Sequence, residues 1–148
     1  MEKLIIKRNE EDFYKLQIND TDDYIEFDLT DISLPEKVMN AADNIAKIDL
    51  DYRKEKEELI KHFVGDEIEK TRSLIKLEKE KCLAMRKEFD SFLGEGTCQK
   101  IFGDANYYGM YSQLFEALEP HFKKMQIRLK KAKEKLAKKY LSNDGDVL

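Results

Sequence analysis

The chain has 148 residues, 39% charged and 41% hydrophobic, with eight Phe, seven Tyr and a net charge of −4. Such a chain is long and aromatic enough for one domain with its own core, which excludes a disordered polymer. Six Gly and two Pro argue against a many-turned all-β fold. No apolar run approaches the roughly 20 residues of a membrane span, and Leu4-Ile5-Ile6 is too short for a signal peptide. Cys82 and Cys98 make no disulfide framework. The expectation is a cytoplasmic, predominantly helical α+β protein with no membrane contact.

Residues 1–31 read as a small antiparallel meander packed on helices. Its strands are Leu4-Ile5-Ile6, residues 13–18 and residues 24–29. In the last, Ile25, Phe27 and Leu29 alternate with Tyr24, Glu26 and Asp28, as in a strand with one buried face. Asn19-Asp20-Thr21-Asp22-Asp23 is rich in turn-forming residues. It lacks the glycine and closing glutamate of a calcium loop. So small a sheet needs a helix or another chain against its apolar face.

Residues 32–141 read as helical. Ser33-Leu34-Pro35-Glu36 predicts a capped start with a capping box. Val38, Ala41, Ile45, Ile48, Tyr52, Leu59 and Phe63 then mark one long amphipathic helix ending near Gly65. Asp66 caps a second helix, with a stripe through Ile68, Ile75, Cys82, Met85, Phe89 and Phe92. Heptad spacing in both predicts an antiparallel helical hairpin. Gly94 suits a helix end, and residues 97–102 a short helix closed by Gly103. Tyr107, Tyr111, Leu114, Phe115 and Leu118 mark another helix, which Pro120 ends or kinks. A last helix carries Phe122, Met125, Leu129, Ala132, Leu136 and Tyr140, and residues 142–148 read as a disordered tail.

The net charge hides an asymmetry. Residues 1–51 carry 14 Asp/Glu against six Lys/Arg, and residues 123–139 carry nine Lys/Arg against Glu134 alone. The plainest reading is two solvated faces. A dipolar chain can also pair its own ends or copies of itself, so a homo-oligomer is expected. Lys123, Lys124, Arg128, Lys131, Lys135 and Lys138 form the candidate electrostatic surface. Nucleic acid is the alternative partner. It is not favoured, because a lysine-rich helix poor in aromatics supplies phosphate contacts without base stacking.

No motif for catalysis or a cofactor stands out. Gly94-Glu95-Gly96-Thr97 follows a predicted helix rather than a strand, and Lys100 is not followed by Ser or Thr, so a cap and tight turn are favoured over a phosphate loop. Cys82, Cys98, His62 and His121 lie too far apart for paired metal ligands. No Ser or Cys sits in a nucleophile elbow. A non-enzyme without metal or cofactor is expected.

The most distinctive stretch is Phe92-Leu93-Gly94-Glu95-Gly96-Thr97-Cys98-Gln99-Lys100-Ile101-Phe102-Gly103-Asp104, followed by Asn106, Tyr111, Leu114-Phe115 and Leu118-Glu119-Pro120. It resembles the C-terminal part of tail assembly chaperones of long-tailed phages and prophages of Gram-positive bacteria. Phe27-Asp28-Leu29-Thr30-Asp31, leading into a helix, is similar to that family's N-terminal part. The resemblance covers residues 24–40 and 89–120. The strongly basic last helix departs from the family pattern. The resemblance implies a helical, non-enzymatic protein of the infected host's cytoplasm, absent from the virion. It would bind the tape-measure protein and recruit tail-tube subunits. The candidate contacts are the exposed parts of Phe92, Ile101, Phe102, Tyr107, Tyr108 and Tyr111, with core packing the plain alternative for each.

Overall fold

The computed structural model describes residues 1–144, with side chains described through residue 126. A single 3-10 turn, Glu10–Asp12, leads into strand β1 (Phe13–Gln17), which pairs antiparallel with β2 (Tyr24–Asp28). Four helices follow: α1 (Leu34–His62), α2 (Glu67–Leu93), α3 (Thr97–Phe102) and α4 (Gly109–Asp144). The fold is α+β and mostly helical, as expected.

The alternation in β2 does what the period-two pattern requires. Cross-strand pairs Tyr14–Phe27 and Leu16–Ile25 face inward, while Lys15–Glu26 and Gln17–Tyr24 face solvent. The turn is closed by the Ile18 N–H donating to the Asp23 carbonyl, and the Thr21 hydroxyl donating to the Ile18 carbonyl. The hairpin lies on α4 and α2. Tyr14 and His121 share a 2.6 Å hydrogen bond, and Phe27 meets Phe122 edge-on at 6.4 Å.

Leu4-Ile5-Ile6 forms no strand; these residues are 90%, 70% and 76% exposed. Three residues offer too short a ladder to repay their ordering. The chain is held instead through Arg8, which donates to the Asp28 carboxylate and the Thr30 hydroxyl at 2.7–2.8 Å.

The first two helices form the expected antiparallel hairpin. Asn44 meets Glu88, Tyr52 meets Glu78, and Lys81 meets Glu55, so the two legs run in opposite directions. Asp66 caps α2 by accepting from the Glu69 N–H at 2.8 Å. The capping box at α1 does not form. Ser33 is already in a helical conformation and makes no cap bond. The Asp31 carboxylate accepts instead from the Ser33 N–H and hydroxyl. A carboxylate two residues earlier has thus taken the role assigned to serine.

Pro120 does not end a helix: α4 runs unbroken from Gly109 to Asp144. Of the two outcomes expected there, an end or a kink, the end is overridden by packing on both sides of the proline. Leu114 and Leu118 before the proline and Met125 after it are all buried in one core. Residues 142–144 continue the helix, while residues 145–148 lie outside the described residues.

The core sits where α2, α4, α3 and the sheet converge. Phe89 and Tyr111 stack at 5.8 Å, Phe102 meets Tyr111 at 5.5 Å, and Cys82 and Cys98 are fully buried. The two legs then outrun it. Residues 53–81 contain no buried residue, so among the described residues no third layer covers the distal part of the α1–α2 hairpin, which stands out as an arm.

Candidate functional site

The loop between α2 and α4 is built around Arg86. Its guanidinium donates to Gln99 Oε1 at 2.8 Å, the Gly103 carbonyl at 3.0 Å and the Ala105 carbonyl at 3.1 Å. It also reaches the Tyr111 hydroxyl at 3.3 Å. A planar fork of donors suits several carbonyls at once. Asp90, one turn further along α2, accepts from the Cys98 N–H at 2.9 Å. It supplies the cap that Gly96, with no side chain, cannot. Gly96 itself sits at φ 80°, a left-handed position suited to glycine.

This arrangement decides the reading of Gly94-Glu95-Gly96-Thr97. Thr97 is buried and its hydroxyl donates to the Leu93 carbonyl, while an Asp90 oxygen occupies the start of α3. A phosphate there would meet a carboxylate, so the segment is a tight structural turn. Burial, reinforced by the neighbouring Asp90, pushes the Cys98 thiol up to about 12. Cys82 is also pushed up, by burial first. Thiols so shifted carry little thiolate at neutral pH. Among the described residues no group of three His, Cys, Asp or Glu could hold a metal ion, and no helix is long and apolar enough to cross a membrane.

The six candidate contacts separate into four settings. Phe92 and Tyr111 belong to the core. Ile101 and Phe102 are half-buried and line a groove of about 320 Å³ with Leu16, Ile18, Ile25 and Leu114. Tyr108 packs against Tyr52 with the rings tilted and their centroids 4.3 Å apart, and its hydroxyl donates to Asp49 at 2.8 Å. Tyr107 alone is largely free, at 60% exposed. Of the electrostatic set, Lys123 pairs with Glu119 at 3.8 Å and Lys124 is exposed. Arg128, Lys131, Lys135 and Lys138 lie outside the residues whose side chains are described.

The surface that the sequence did not single out is on the arm. Ile68, Ile75, Cys82 and Phe89 form one heptad column of α2. Cys82 and Phe89 are completely buried, while Ile75 is 50% and Ile68 66% exposed. Tyr52 and Tyr108 mark where cover stops. Beyond them Ile60 and Val64 are exposed too. The residues are visible in the sequence stripe; their exposure is not, because the stripe is continuous.

No curated protein and no solved structure matches the chain. One family model does, over residues 21–144, from the hairpin turn to the end of α4. Its span takes in the Arg86-centred loop and the whole helical arm, and on that match the chain belongs to DUF6673, a family of unknown function.

Proposed function

We propose that this protein is a non-enzymatic tail assembly chaperone that binds the tape-measure protein and recruits tail-tube subunits. It acts in the host cytoplasm and leaves before the virion is complete. The observation that carries this reading is the bare helical face of the arm. A client made of long amphipathic helices can add the missing third layer over Ile68 and Ile75, an exchange of self-contact for client contact. The resemblance of residues 24–40 and 89–120 to such chaperones supports it.

The test is co-expression with the tape-measure protein of the same genome, read by co-purification and client solubility. A soluble complex that is lost in I68K/I75K is the expected result. A folded chaperone that leaves its client unbound and insoluble overturns the reading.

A further inference from the structure

The N-terminal module and the basic segment carry equal and opposite charge. Residues 9–31 hold nine Asp/Glu against Lys15 alone, a balance of −8. Residues 123–139 hold nine Lys/Arg against Glu134, a balance of +8. Five of the nine acidic residues, Glu10, Glu11, Asp12, Asp28 and Asp31, lie at or next to the open end of the hairpin, whereas Asp20, Asp22 and Asp23 lie in its turn. The open end of the hairpin, at Tyr14 and Phe27, lies against His121 and Phe122. Its turn end points the other way along α4, where Ile18, Asn19 and Ile25 share a groove with Gln113, Leu114 and Ala117.

Asp20, Asp22 and Asp23 in that turn are exposed, and among the described residues none of them forms an ion pair. The basic half of the same helix leads away from them. At 1.5 Å per residue, Lys131 lies about 27 Å along the axis from Gln113. That is about three times the Debye length at physiological salt. A continuous helix does not fold back onto a groove that it lines itself.

We propose that a second copy of this chain meets the acidic turn. The basic half of α4 from each copy lies along the β1–β2 hairpin of the other. The spaced Leu129, Ala132 and Leu136 are the apolar complement of the groove lined by Leu16, Ile18, Ile25, Ile101 and Phe102. A two-fold arrangement makes both contacts at once, because each copy contributes one acidic and one basic element. Client binding plays no part in this interface.

The experiment is sedimentation velocity of the full chain at about 0.05 M and about 0.5 M salt, spanning strong and weak screening. The expected result is a dimer that dissociates as salt rises. D20K/D22K/D23K and K131E/K135E/K138E should each weaken dimerisation about tenfold or more, as loss of close charge pairs does. Circular dichroism checks that both variants fold. Mixing the two should restore association, since each reversed element then meets a reversed partner. A wild-type monomer at low salt, a dimer indifferent to salt, or a mixture that stays monomeric overturns the proposal. A monomer that binds duplex DNA in a salt-dependent way would instead assign the basic half to nucleic acid.

Discussion

Arg86 holds together three segments that are distant in sequence: α2, the loop after α3 and the start of α4. Its replacement by methionine keeps the aliphatic stem but strands the Gly103 and Ala105 carbonyls. R86M should cost about 2–3 kcal/mol in urea unfolding, the scale of lost charge-assisted hydrogen bonds. The Cys98 thiol should also become labelled faster in the native state. Arg8 acts similarly at the N-terminus. It draws the Asp28 carboxyl down from 3.8 to about 2, with the Thr30 hydroxyl adding to the effect. A carboxyl depressed on folding stabilises fully above its unfolded pKa, and that contribution is lost as pH falls through the folded one. The N-terminal tether should therefore hold at neutral pH and release between about pH 4 and pH 2. Titration of the Asp28 side-chain carbonyl signal by NMR checks this, with D28N as the variant that shows no such release.

At the scale of elements, α4 carries the clearest conflict between local preference and packing. Proline in a helix interior lacks an N–H and crowds the preceding turn, at about 3 kcal/mol relative to alanine. Pro120 is exposed, so its side chain adds little to the core. P120A should stabilise the protein by about 1–3 kcal/mol in thermal or denaturant melts. The arm gives the opposite expectation. Since Ile68 and Ile75 are at least half exposed, I68K/I75K should change unfolding free energy by no more than about 1 kcal/mol. A large destabilisation would mean that this face is covered within the chain. The helical hairpin, the Asp66 cap and the α2–α3 break at Gly94 were legible because each rests on residues a few positions apart. The failed capping box and the continuous α4 were not. In both, a neighbouring carboxylate or a distant core outweighed the local signal.

For the whole molecule, the two proposals assign different surfaces: the arm to the client, and the acidic hairpin with its groove to a second copy. They lie at different places in the fold, so their effects should be separable. Charge reversal at Asp20, Asp22 and Asp23 should alter self-association and leave client capture by the arm intact. I68K/I75K should do the reverse, as pull-down and sedimentation on the same variants would show. Non-additive loss of both activities in either variant would mean that the two surfaces are coupled.

Periodicity in the sequence determined the helices, the one-sided hairpin and the opposed charges of residues 9–31 and 123–139, because these are properties of residue order alone. It also marked Ile68, Ile75, Cys82 and Phe89 as one stripe. Only the tertiary structure decided that the last two are sealed and the first two are open. A stripe reports which face of a helix is apolar, not how far its neighbours reach. Here the core closes around Cys82, where Tyr52 of α1 and Tyr111 of α4 come near it, and goes no further along α2. The Arg86 cluster was equally hidden, since its acceptors lie 13 to 25 residues away and only the folded chain brings them together.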